Sequence, residues 1–116
     1  MLDWKPLTEL DQLATIDQDS HSSVQAIFKH STTCPISHMA KNRVESTWNL
    51  SDVTAYYLDL KMHRAVSAAI ADRWGVQHES PQIIVLKGGK VIYHESHLDI
   101  AVEKIASSLE VANING

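Results

Sequence analysis

Apolar and polar positions fall into blocks whose period changes from helical to extended and back along the chain. Leu10, Leu13, Ala14 and Ile16 recur at helical intervals within Thr8–Asp17. With Thr8 as N-cap and Glu9 and Asp11 in the first turn, the spacing predicts a short amphipathic helix. Val24–Lys29 is a mostly apolar run of strand length. After polar His30–Cys34, the residues Ile36, Met39, Ala40, Val44 and Trp48 mark one face of a second helix that opens at Pro35. Val53–Leu60 is rich in β-branched and aromatic residues and reads as the next strand. Arg64–Trp74 is Ala-rich and helical, with Gly75 where a C′ residue belongs. Gln82–Lys87, Gly88-Gly89 and Lys90–His94 give a hairpin signal. Leu98, Ile100, Ala101, Val102, Ile105 and Leu109 mark a closing helix.

Two strands joined by a crossover helix should be parallel neighbours, and the hairpin adds an antiparallel pair. The expected fold class is α/β. It has a mixed central sheet of four strands, or five if residues near Trp4 pair at an edge, with helices on both faces. At 116 residues the chain fits a single domain, 1–116. The hydrophobic share of 44% and charged share of 21% are those of a folded protein.

The balance of charge narrows the partners. Ten Lys and Arg against fourteen Asp and Glu leave a net charge of −4, which argues against nucleic acid and against anionic membrane surfaces. Trp4, Trp48, Tyr56, Tyr57, Trp74 and Tyr93 are spread through the elements and read as packing groups, not as a stacking platform for bases. No segment approaches the ~20 apolar residues of a membrane span. The N-terminus carries no secretory pattern, and the single cysteine cannot form an internal disulfide. The expected setting is the cytoplasm, where thiols stay reduced, and the expected state is a monomer.

That cysteine is the strongest chemical signal. Cys34 stands at a strand-to-helix turn, and Pro35 is suited to the first helical position. Cys34 is then the N-cap, and the backbone N–H groups of Ile36 and Ser37 are expected to point at its sulfur. Those bonds and the positive end of the helix dipole favour thiolate over thiol, which makes Cys34 the expected nucleophile. Ser37 takes the place at which a Cys-x-x-Cys protein keeps its second thiol. Serine cannot expel a mixed disulfide, so release must wait for an outside thiol. Its hydroxyl is a further candidate for holding the thiolate. Lys29 and His30 are candidates to aid the site electrostatically, but Lys29 is equally a solvated strand end, and that reading is favoured. Ser80-Pro81 precedes a strand, and spacing alone favours a trans bond there, since about 5% of such bonds in folded proteins are cis.

Taken together, Lys29-His30-Ser31-Thr32-Thr33-Cys34-Pro35-Ile36-Ser37, His78-Glu79-Ser80-Pro81-Gln82 and His94–Ile100 resemble the monothiol bacilliredoxins, the bacillithiol-system proteins of the YtxJ type. The resemblance runs from about Val24 to Ile105. Leu98 departs from it where an aromatic residue is expected, and no role is carried onto His38. The resemblance implies a thioredoxin-like fold, Cys34 as nucleophile and Pro81 in the cis form beside it. It implies removal of bacillithiol from protein mixed disulfides. Bacillithiol is then the co-substrate, with no bound cofactor, and bacillithiolated proteins and a recycling thiol or reductase are the partners. Thr33, Pro35, Ile36, Ser80 and Pro81 become the candidate ligand-binding residues.

Four other readings use related parts, and one of them, a peroxidatic thiol, lacks its Pro-x-x-x-Thr-x-x-Cys run, with Ser31 at the threonine position. A Cys-x-x-Ser protein of the monothiol glutaredoxin kind can carry an iron–sulfur cluster, although Pro35-Ile36 departs from that signature. A thioredoxin-fold adaptor would keep the pocket without the chemistry. Metal binding by Cys34 and His38, or by His94 and His97, lacks a compact ligand spacing, and the sequence assigns no metal ligand.

Overall fold

The computed structural model describes residues 2–115. Strand β1 (Lys5–Pro6) is followed by helix α1 (Asp11–Asp19), strand β2 (Gln25–His30) and helix α2 (Pro35–Thr47). Strand β3 (Thr54–Asp59), helix α3 (Arg64–Trp74), the hairpin β4 (Gln82–Lys87) and β5 (Lys90–Ser96), and helix α4 (Val102–Asn115) complete the fold. The sheet order is β1-β3-β2-β4-β5. β3 runs parallel to β1 and β2, while β4 is antiparallel to β2 and β5. The sheet is therefore mixed and five-stranded, and the edge pairing near Trp4 is present as β1.

Side-chain alternation along β2 divides the core. Ile27 packs with Leu13 and Ile16 of α1 and Val66 and Ile70 of α3 on one face. Ala26 and Phe28 pack with Ala40 and Val44 of α2 and Val102 and Ile105 of α4 on the other. All six residues of β2 are buried, including polar Gln25, Lys29 and His30. A strand enclosed on both faces cannot satisfy such groups with water, so they depend on protein partners: Gln25 Nε2 donates to the carbonyl and hydroxyl of Ser23, while its Oε1 has no partner.

Two element ends differ from expectation. Helix α1 begins at Asp11, and Thr8 does not cap it; instead the side chain of Gln12 reaches back and accepts from the N–H groups of Thr8 and Glu9. The closing helix begins at Val102, because Ile100 is drawn into the core and a single 3₁₀ turn (His97–Asp99) absorbs the preceding residues. Arg43 of α2 ties that turn down by donating to the carbonyls of Leu98 and Ile100.

The hairpin turn is anchored from α1. Gly88 and Gly89 both have positive φ, 62° and 77°, as a two-residue turn of this hand requires. Gly88 N–H donates to the Ser20 carbonyl at 2.7 Å, and Gly89 N–H to Ser20 Oγ at 2.8 Å. Replacing Ser20 with Ala should orphan the Gly89 donor and lower stability by about 1–2 kcal/mol, read as a fall in the urea midpoint at unchanged slope.

Candidate active site

The site lies where β2 ends. Cys34 has extended backbone angles (φ −104°, ψ 117°) and occupies the N-cap of α2, with Pro35 as the first helical residue. The thiol is half-buried. The Ser80–Pro81 peptide bond is cis. Spacing alone favoured trans, whereas the family resemblance implied the form that is found.

The expected cap on the sulfur is absent. No helix N–H comes within hydrogen-bond reach of Cys34 Sγ, so the N–H groups of Ile36 and Ser37 do not hold it. The Ser37 side chain is fully buried and turned away from the thiol. Its Oγ accepts from the Ser31 N–H at 3.0 Å and donates to His30 Nδ1 at 2.6 Å. The reason is topological. His30 points from β2 onto the α2 face of the sheet and is itself buried, so its ring nitrogen takes the nearest hydroxyl. Ser37 therefore positions the first turn of α2 and does not touch the thiolate. Burial, and then His38 and Lys41, push the His30 imidazole below its ordinary value, which matches a neutral ring accepting at Nδ1.

Lys29 also corrects an expectation. It is not a solvated strand end but is fully buried. Its Nζ donates to His78 Nδ1 at 3.2 Å, and Ser67 Oγ of α3 lies 3.3 Å from the same nitrogen. Among the described residues no carboxylate lies within ion-pair distance of it. Burial pushes the ammonium down to about 8, so it remains charged at neutral pH. His78 is held neutral in turn, below its usual value, first by desolvation and then by Lys29. Consecutive residues of one strand thus serve opposite faces. Lys29 reaches the segment leading to Pro81, and His30 reaches the start of α2.

The rest of the cis-proline segment is pinned from β4. Gln82 is buried, donates through Nε2 to the Gln77 carbonyl at 3.0 Å, and accepts from the Glu79 N–H at 3.4 Å. The Pro81 carbonyl accepts from the His97 N–H at 2.9 Å. Ser80 Oγ is buried without a hydrogen-bond partner. Of the predicted ligand-binding residues, Thr33, Pro35 and Ile36 are exposed, Ser80 is partly covered and Pro81 is buried. Lys61, which the sequence did not single out, donates to Thr33 Oγ1 at 3.0 Å, one residue from the nucleophile. Nothing in the letter pattern distinguishes that lysine from any other on a turn. Among the described residues no group of three or more His, Cys, Asp or Glu converges on a metal position, and no helix is long and apolar enough to cross a membrane.

This topology, with a cysteine at the start of α2 and a cis-proline just before β4, is that of the thioredoxin fold. Solved structures agree. A protein described as a presumed oxidoreductase with a thioredoxin fold is 31% identical, with a TM-score of 0.79 over 90% of this chain and 91% of its own. Thioredoxin from Malassezia sympodialis is 17% identical, with a TM-score of 0.72 over 96% of this chain and 91% of its own. Thioredoxin from Fasciola hepatica is 13% identical, with the same TM-score over 92% and 97%. At those identities the two thioredoxins speak for the fold alone. The model of the monothiol bacilliredoxin BrxC family matches residues 5–105, and the chain belongs to that family. It is a thioredoxin-like thiol-disulfide oxidoreductase.

The buried lysine makes stability depend on pH in a definite direction. Between pH 8 and 10.5 the unfolded chain keeps the Lys29 proton and the folded chain has lost it, so stability rises with pH. Below pH 8 both states are protonated and the cost of burying the charge is fully present. Wild type should gain about 2 kcal/mol relative to Lys29→Met between pH 7.5 and 10, measured by urea denaturation.

Proposed function

We propose that this protein removes bacillithiol from protein mixed disulfides and becomes bacillithiolated on Cys34 in the process. The observation that carries the reading is the combination at the start of α2. A half-exposed thiol caps α2, a cis-proline precedes β4, the strand that pairs with β2, and the residue three positions on from the thiol is a buried serine bonded to His30. Such a site can accept a small thiol but holds no second sulfur with which to expel it. Membership in the monothiol bacilliredoxin family supports bacillithiol as that small thiol.

In the first step the Cys34 thiolate attacks the bacillithiol sulfur of the client disulfide. The new bond is Cys34–S–S–bacillithiol, the old S–S bond breaks, and the client sulfur leaves as a thiolate that takes a proton from solvent. No net oxidation occurs, since one disulfide is exchanged for another. In the second step an outside thiol, free bacillithiol or a partner reductase, attacks the bacillithiol sulfur and frees Cys34. The backbone N–H and C=O of Ser80 are the groups suited to pair with an extended ligand. The Pro81 carbonyl is not, because His97 already occupies it. Thr33, Pro35 and Ile36 form the opposing rim. The co-substrate is the small thiol itself, no resident cofactor is required, and a reducing cytoplasm is the setting in which the cycle runs.

Intact-mass measurement on reduced protein mixed with a bacillithiolated client tests this reading. The expected result is one bacillithiol on Cys34, an equivalent of freed client thiol, no adduct on Cys34→Ser, and at least tenfold slower transfer from a glutathionylated client. No transfer from either client would overturn it. Equal transfer from both would leave a general thiol-disulfide oxidoreductase without the assigned substrate.

A further inference from the structure

The histidine that follows Ser37 touches the chain on both sides of Thr33. His38 lies in the opening turns of α2, and its side chain is exposed. Its backbone N–H donates to the Cys34 carbonyl at 3.1 Å, the bond by which a helix starts from its N-cap residue. Its ring reaches back over the cysteine loop, and Nε2 lies 2.8 Å from the Thr32 carbonyl oxygen. A carbonyl oxygen only accepts, so this nitrogen carries a proton and donates it. One residue thus holds the sulfur-bearing residue through its main chain and the residue two positions before it through its side chain.

The ring is set in place from β2. The imidazoles of His30 and His38 meet edge to face, with centroids 4.7 Å apart and planes at 84°. His30 is buried and bonded to Ser37, whose Oγ also accepts from the Ser31 N–H. Consecutive residues of α2 therefore take consecutive residues of the loop: Ser37 holds Ser31, and His38 holds Thr32. The loop also closes on itself, since Cys34 N–H donates to the Ser31 carbonyl at 3.2 Å. From the turn after β3, Lys61 Nζ donates to Thr33 Oγ1. The sulfur has no helix N–H to orient it. Its direction is left to the backbone of this loop.

We propose that His38 is a positioning residue for the exchange, and that its Nε2–H bond to the Thr32 carbonyl aims Cys34 Sγ at the disulfide. The proposal rests on the mixed-disulfide reading above. Exchange requires the attacking, central and leaving sulfurs to lie in line, and a thiolate held off that line loses rate steeply. Alkylation by a small free reagent makes no such demand, because the reagent approaches from any open side. The step itself is unchanged: Cys34 sulfur bonds to the small-thiol sulfur, and the client sulfur leaves with the electron pair of the old S–S bond. His38 neither gives nor takes a proton in it.

The test compares two second-order rates for each variant at one pH. One is transfer of bacillithiol onto Cys34 from a bacillithiolated client peptide, followed by intact mass. The other is alkylation of Cys34 by iodoacetamide. Their ratio cancels changes in thiolate fraction and in exposure of the sulfur. His38→Gln puts an amide N–H at about the reach of Nε2, His38→Met matches its length without a donor, and both residues suit a helix. The exchange-to-alkylation ratio is expected to fall about tenfold in His38→Met and to stay within about twofold of wild type in His38→Gln. Amide hydrogen exchange at Thr33 and Cys34 should quicken in His38→Met alone. A ratio unchanged in His38→Met, or lowered equally in both variants, would overturn the inference while leaving the oxidoreductase reading intact. Wild type that is alkylated but takes no bacillithiol from the peptide would overturn the mixed-disulfide reading and the inference with it.

Discussion

The arrangement depends on one constraint, the full burial of β2. Its flanks are covered by β3 and β4 and its faces by two helical layers, so Lys29 and His30 at its end have no access to water. Polar groups in that position must be paired, because an unpaired one costs on the order of 1–3 kcal/mol and a charge costs more. The available partners all belong to the site. His30 takes Ser37, Lys29 takes His78, and the His30 carbonyl takes Leu60 N–H. Satisfying two buried residues thus fixes three separate segments: the first turn of α2, the approach to Pro81, and the turn into α3.

The chemistry follows from what those bonds leave free. Because Cys34 is the one cysteine and a serine stands three residues on, no second thiol of this chain can resolve a disulfide formed on Cys34. Because Gln82 and Lys29 hold the segment before Pro81 from two sides, that segment is set before a ligand arrives. Preorganisation of this kind lowers the ordering cost of binding and of reaching the exchange geometry.

Much of the fold is written in local pattern. The period changes at Val24 and Val53, the C′ glycine at Gly75 and the Gly88-Gly89 turn are signals of backbone geometry, and α3, β4 and the start of α2 occur where those signals place them. The site was legible only in part. Cys34 and Pro35 announce a helix start, and Pro81 announces a turn before a strand. What the letters do not carry is direction. A lysine at the end of an apolar run has the same neighbours in sequence whether it meets solvent or α3; here the pairing of Lys29 opposite Leu58 and Gln82 puts it inside. The Ser37 hydroxyl was within reach of either Cys34 or His30 by spacing, and burial of His30 decided between them. Lys61 gave no signal at all, because its partner Thr33 comes from a loop 28 residues away.

The central claim is that Lys29 and His30 hold opposite halves of one site. The most direct measurement is an amide ¹H–¹⁵N shift comparison of wild type with Lys29→Met and with His30→Phe, at a pH where all three are folded. The largest changes are expected at His78–Gln82 for the Lys29 variant and at Ser31–His38 for the His30 variant, as two separate sets. A single diffuse pattern common to both variants, or undisturbed amides in these segments, would contradict it.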